Sequence, residues 1–257
     1  MKSNKIYFFS MGFLLAILGS SIVLNILLSN RAKQYYIELN DTRLDPVGLG
    51  NYPLEANPRN KTNTNQTRVV FFGDSRAFSW PSPDVNGYEF INRGIGSQTS
   101  VQTIQRFKYH VSPLRPDVIV IQVGINDLKT IALFPERRQS IVANCRANIE
   151  RIVKESRDLG AIVIISTIFP AGEVPLERKL FWSDEVNQAV KEVNSDIATL
   201  AGEKIIVFDA FSLLADEQGL MRREYRSDEL HLNGLGYKII NKEFVQLLRS
   251  LPRPIAR

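Results

Sequence analysis

Residue types that together make a serine nucleophile stand far apart in this 257-residue chain. Ser75 ends Arg68-Val69-Val70-Phe71-Phe72-Gly73-Asp74-Ser75, an apolar run closing in Gly-Asp-Ser. Near the other end, Asp228-Glu229-Leu230-His231 places a carboxylate three residues before an imidazole. A serine hydroxyl is a poor nucleophile at neutral pH and needs an adjacent base to take its proton. The chain holds two histidines. His110 ends a helical segment beside Val111 and reads as a surface or cap residue. His231 has Asp228 close enough to fix its tautomer and stabilise its cation, so the combination is that of nucleophile, base and orienting acid. The plainer alternatives are a helix N-cap serine after a strand and a helix-start aspartate beside a solvent-facing histidine. Gly-Asp-Ser alone decides nothing, since average amino-acid usage yields it in about one chain in fifteen of this length.

The elements that must position these groups alternate from residue 68 onward. Arg68–Phe72 and Asp117–Val123 each carry a run of bulky or β-branched apolar residues, as buried strands of a parallel sheet do. Tyr88–Asn92, Ala161–Ser166 and Lys204–Phe208 read as further strands. Helical spacing marks about 101–110, Arg138–Asp158, Asp184–Leu200 and Leu235–Leu251. Cys145 falls on the apolar face of the second of these, with Ile141, Val142, Ile149, Ile152 and Val153, and reads as core. Strands alternating with helices predict an α/β domain with a parallel, doubly wound sheet covered on both faces. Each strand ends in polar punctuation: Gly73-Asp74-Ser75, then Asn92-Arg93-Gly94-Ile95-Gly96-Ser97, then Gly124-Ile125-Asn126-Asp127. In open α/β sheets ligands bind outside the carboxyl ends of the strands, where strand order reverses. These blocks and Asp228–His231 belong at that edge.

Taken in order, these blocks resemble those of the SGNH (GDSL) hydrolases, and the resemblance covers residues 68 to about 250. It implies a flavodoxin-like three-layer α/β/α sandwich and hydrolysis of esters or thioesters by a serine, without cofactor or metal. It implies Ser75, Asp228 and His231 as catalytic residues. It also implies an oxyanion hole of the Ser75 amide, the Asn126 side chain and a backbone amide of the second block. Aligned on Asn92, the family's glycine in that block falls at Ser97, a departure that requires backbone angles tolerable to a residue with a Cβ. Gly96 stands beside it as a second carrier of the role. Asp74 and Asp127 read as turn and scaffold residues with a positioning part. Gly73–Ala77 lacks the Gly-x-Ser-x-Gly elbow of α/β-hydrolases.

Around these blocks several readings stay open. Phe78-Ser79-Trp80-Pro81 and Ile131-Ala132-Leu133-Phe134-Pro135 either wall an acyl pocket or cap the core. Arg76 and Arg93 meet an anionic group or pair with surface carboxylates. Arg222, Arg223 and Arg226 face phospholipid or acidic glycan, or line a solvated loop. The expected activity is that of an esterase on an acyl lipid or O-acyl carbohydrate. The alternatives are an O-acyltransferase using the same residues and a glycan-binding module without catalysis.

Upstream, Ile6–Leu28 is nearly uninterrupted apolar sequence, long enough to span a bilayer, flanked by Lys2 and Lys5 before and Arg31 and Lys33 after. It lacks the small-x-small cleavage site of a signal peptide. It reads as a signal anchor, with a cleaved signal as the alternative. The flanking charges favour an inside amino terminus, which places the rest of the chain outside the cytoplasm. The expected organisation is an anchor over 1–30, a flexible linker over 31–67 and a hydrolase domain over 68–257. The linker's Asn40, Asn60 and Asn65 each begin an N-x-T sequon. The charge of +5 is spread along the chain without a basic run interleaved with aromatics, so nucleic acid is not an expected partner; the membrane and an ester substrate are.

Overall fold

The computed structural model describes residues 2–53 and 66–252. By compactness the chain divides into two units, Met1–Pro46 and Val47–Arg257. The first is a single helix, α1 (Lys2–Leu44). It is long and apolar enough to cross a membrane, with an 18-residue window of mean hydropathy 2.3, and its side chains from Tyr7 to Leu39 are exposed. The helix runs past the apolar stretch into what composition marks as linker. Residues 31–44 contain no Gly or Pro and several strong helix formers. Pro46 then disfavours helical angles at Asp45. The Asn40 carboxamide turns back to the Tyr36 carbonyl. Asn60 and Asn65 lie outside the described residues.

The second unit is built on a five-stranded parallel sheet of β1 (Thr67–Gly73), β2 (Tyr88–Gly94), β3 (Val118–Gln122), β4 (Ile162–Ser166) and β5 (Ile205–Phe208), in the order β2-β1-β3-β4-β5. This is the flavodoxin-like order, which reverses direction between β1 and β3. Register makes the site possible. Gly73 pairs with Gly94 on one side and Gln122 on the other, so three strands end level and their following loops leave the sheet side by side. Gly73 has φ +152, and a Cβ there would come 1.8 Å from the Gln122 carbonyl oxygen. Only glycine permits that approach.

Among the described residues its α-helices are α2 (Ser75–Phe78), α3 (Ser100–Gln105), α4 (Phe107–His110), α5 (Ile125–Leu128), α6 (Arg138–Asp158), α7 (Asp184–Ala198), α8 (Ala210–Leu214) and α9 (Gly234–Ser250). Successive strand residues point to opposite faces, and two cores result. Val70, Phe72, Ile119, Ile121, Val163 and Ile165 pack with Cys145, Ile149 and Ile152 of α6 and Val186, Val190 and Val193 of α7. Val69, Phe71, Val118, Val120 and Ile164 pack with Tyr237, Ile240, Phe244 and Leu248 of α9. Each such side chain contributes about 1.5–3 kcal/mol by leaving water. The three-layer sandwich is therefore the observed architecture. The helix expected over 101–110 is broken at Arg106, whose φ −94, ψ 0 ends α3.

Candidate active site

Ser75 is the first residue of α2, at the carboxyl end of β1. Asp74 caps that helix, its Oδ1 accepting from the Arg76 amide at 2.8 Å. Ser75 Oγ lies 3.0 Å from His231 Nε2. On the other side of the ring, His231 Nδ1 lies 2.8 Å from Asp228 Oδ2 and 3.1 Å from Oδ1. Asp228 Oδ1 also accepts from the amides of Leu230 and His231, each at 2.7 Å. The Asp-x-x-His spacing is what permits this: one carboxylate holds its own turn and the ring at once. Burial pushes the Asp228 carboxyl up, but hydrogen bonds from the His231 ring and the two amides outweigh it, leaving the carboxyl below its ordinary value.

The loop carrying this pair is pinned from several directions. The Gly172 amide donates to the Glu229 carbonyl at 2.8 Å, and Glu229, buried, pairs with Arg178. The Arg226 guanidinium donates to the Glu173 carbonyl at 3.0 Å. Asn233 caps α9 through the amides of Leu235 and Gly236. Its carboxamide nitrogen donates to the Glu224 carbonyl at 2.8 Å.

Asn126 stands in α5, just after β3. Its side chain is buried, and Nδ2 donates to the Gln98 carbonyl at 3.0 Å. A carboxamide nitrogen carries two hydrogens; one ties the third block to the second, and the other is what an oxyanion donor requires. Ser97 has φ +62, the left-handed region that glycine occupies most readily, and Ser97 and Gly96 are both exposed. A serine at the family's glycine position thus keeps glycine-like backbone angles. Asp127 sits behind them, with Oδ2 accepting from the Ser100 amide at 2.8 Å and Oδ1 from the Ser100 hydroxyl at 2.7 Å. Burial pushes its carboxyl up against those two bonds. Asp74 is wholly buried and its Oδ2 has no partner. Burial pushes its carboxyl up to about 6, against the pull of Arg76.

Several residues take places that sequence alone did not assign. Arg76 is not a surface residue. It is fully buried and donates to the carbonyls of Leu230, Phe169 and Pro170, stitching α2 to the loop before His231. Burial lowers its pKa to about 10, so it stays charged at neutral pH. Arg93 is buried too, its guanidinium 4.6 Å from the centre of the Tyr52 ring. Arg106 is a third buried arginine, donating to the carbonyls of Gly73 and Arg93. Burial lowers its pKa to about 9. No periodicity marks these three: Arg76 and Arg106 are met by main-chain carbonyls of distant segments, and Arg93 by the Tyr52 ring and the neighbouring Asn92 carbonyl. His110 is buried rather than at the surface, with its ring against Tyr52. Trp80 caps the core, its indole donating to Asn241, and Ile131 is buried, whereas Phe78, Leu133 and Phe134 remain exposed. Among the described residues no group of three His, Cys, Asp or Glu side chains is placed to hold a metal ion.

Comparison with known proteins gives this arrangement its context. Residues 71–239 match the GDSL-like lipase/acylhydrolase family. A GDSL-like lipase from Bacteroides thetaiotaomicron is 26% identical with a TM-score of 0.60, the match covering 75% of this chain and 91% of that one. A Bacteroides fragilis protein described as an acylhydrolase is likewise 26% identical, with a TM-score of 0.62 over 76% of this chain and 91% of that one. An acetyl xylan esterase, at 20% identity and a TM-score of 0.55 over 70% of this chain and 99% of its own, shares the fold alone. No curated protein sequence matches the chain. The matched stretch begins inside β1 and ends inside α9, so it encloses all four polar blocks, and the chain belongs to the GDSL-like lipase/acylhydrolase family.

Proposed function

We propose that the protein is a serine esterase acting on an acyl lipid or O-acyl carbohydrate through an acyl-enzyme. Ser75 Oγ attacks the ester carbonyl as His231 Nε2 takes its proton, and Asp228 stabilises the resulting imidazolium. The Ser75 and Ser97 amides and Asn126 Nδ2 hold the oxyanion. His231 then gives the proton to the leaving alkoxide, and a water repeats the sequence to free the acid. The observation that carries this reading is the hydrogen-bonded line from Ser75 Oγ through the His231 ring to Asp228 Oδ2. The experiment is a series of p-nitrophenyl esters from acetate to laurate. Turnover of at least one is expected; a folded protein inert toward all of them would remove the esterase assignment.

The Ser97 role has its own check. Ser97→Gly and Ser97→Ala both keep the amide, so kcat/KM should stay within a few-fold. Glycine should also preserve or raise the thermal midpoint, because φ +62 costs an L-residue about 1 kcal/mol. Ser97→Pro is a poor probe, since proline's φ near −65° cannot follow this turn. A well-folded Ser97→Ala enzyme that is crippled would give the hydroxyl, not the amide, the decisive part.

We place the enzyme at a membrane, held by α1 as an uncleaved anchor with the domain on the non-cytoplasmic side. The support is the helix's length and apolar composition. Full-length protein should stay in the membrane pellet after a carbonate wash. Recovery of a soluble mature form beginning after residue 28 would make the segment a cleaved signal.

A further inference from the structure

The residues that directly follow α1 are chemically tied to the turn of the second block. Tyr52 Oη donates to the Gly94 carbonyl at 2.6 Å, at the point where β2 becomes the turn. Its ring covers the Arg93 guanidinium and meets His110 edge-on, with ring centroids 5.4 Å apart. At the turn's other end, Gln98 Nε2 donates to the Val47 carbonyl at 2.8 Å. Gln98 is itself buried, accepts at Oε1 from Arg106 Nε, and offers its carbonyl to Asn126 Nδ2. Gly48 lies between these contacts at φ +72, where a Cβ would stand 2.9 Å from Gln98 Nε2 and 3.0 Å from Ile95 Cδ1. His110 Nε2 lies 3.3 Å from the Leu49 carbonyl. Between the two tied ends the turn projects: a Cβ on Gly96 would meet nothing within 4 Å.

We propose that Val47–Tyr52 is a strap that positions the oxyanion turn, with Tyr52 clamping its start at Gly94 and Gln98 clamping its end. This rests on the esterase reading above, in which Ser97 and Asn126 hold the oxyanion. Tyr52 and Gln98 are positioning residues: neither needs to touch the substrate, and each acts through the backbone of residues 94–98. The physical need is clear, because an oxyanion donor works by being fixed before charge develops. The Ile95 amide also donates to the Gly73 carbonyl at 3.0 Å, so slack at either clamp is passed to the short span of Gly96 and Ser97 that carries the donor. Arg106 extends the same frame to the nucleophile, since it bonds at once to Gln98, to the Arg93 carbonyl and to the Gly73 carbonyl just before Asp74-Ser75. The segment joining helix and domain is thereby part of the site's scaffold.

The test uses the full chain in detergent, with activity counted per Ser75 labelled by a fluorophosphonate in exhaustive reaction. Tyr52→Phe removes one hydroxyl and keeps the ring over Arg93. Tyr52→Ala removes both, and Gly48→Val disturbs the strap from its Gln98 side. Displacement of a catalytic group by about 1 Å costs on the order of 10²-fold. We therefore expect kcat to fall a few-fold in Tyr52→Phe, and about 10-fold or more in Tyr52→Ala and Gly48→Val, with KM nearly unchanged. Affinity for an alkyl trifluoromethyl ketone, whose serine adduct carries an oxyanion, should weaken in step with kcat/KM. A merely structural role would lower the thermal midpoint and the labelled fraction while leaving kcat per labelled site and ketone affinity alone; that result overturns the proposal. Wild-type kcat in folded Tyr52→Phe and Gly48→Val overturns it as well. The underlying esterase reading fails separately, through a Ser75→Ala protein that keeps wild-type turnover of ester.

Discussion

Ser75→Ala should fold normally and lose esterase activity by about 10⁴-fold or more, the usual scale for removing a triad nucleophile. The Ser75 hydroxyl bonds to the His231 ring, and alanine suits the first turn of α2 at least as well as serine. The loss should therefore appear in kcat with the thermal midpoint close to wild type. The same change should abolish covalent capture of a fluorophosphonate, with the wild-type adduct mapping to the peptide that contains Gly73-Asp74-Ser75. The residual rate should be small but above solution hydrolysis, because oxyanion donors and substrate binding persist without the nucleophile. A variant that is still labelled, or that keeps wild-type turnover, would show that the attacking group lies elsewhere.

The second large effect belongs to the base. His231→Ala removes the group 3.0 Å from Ser75 Oγ and should cost kcat/KM about 10⁴-fold or more. Asp228→Asn should show a related loss with less disturbance. Its remaining side-chain oxygen can still accept from the Leu230 and His231 amides, so the loop stays in place. Its amide, however, presents a donor to Nδ1 and stabilises the wrong tautomer, an effect on the order of 10⁴-fold in triads. The informative measurement is the pair of variants compared in kcat and in thermal midpoint. A His231→Ala enzyme within ten-fold of wild type would leave Ser75 without its assigned base.

The sheet was legible because buried parallel strands are apolar on both faces, and β1, β3 and β4 each form such a run. The α6 helix, Arg138–Asp158 in both expectation and structure, was legible through its apolar spacing. The helices α2, α5 and α8 were not, since a single turn is too short to show a period. The break at Arg106 was also hidden: the arginine that ends α3 is held by Gln98 and the carbonyls of Gly73 and Arg93, and no local pattern predicts those partners. His110 was misread for a related reason. Its buried setting is made by Tyr52 and Leu49, about sixty residues upstream, in a stretch whose composition resembles a linker.

Sequence alone determined the order of the strands and of the longer helices along the chain, the four polar blocks at the strand ends, and the pairing of one histidine with an aspartate three residues away. These are consequences of local spacing, which backbone geometry converts directly into faces and turns. Tertiary structure decided what depends on register and on long-range hydrogen bonds. It brought Gly73, Gly94 and Gln122 level across three strands, set Ser75 against a ring 156 residues away, and buried Arg76 among carbonyls 93 to 154 residues distant. It also laid Val47–Tyr52 onto the second block. A buried guanidinium or a docked strap is satisfied by main-chain atoms, which every residue type carries, so residue identities do not reveal the partner until the chain has folded around it.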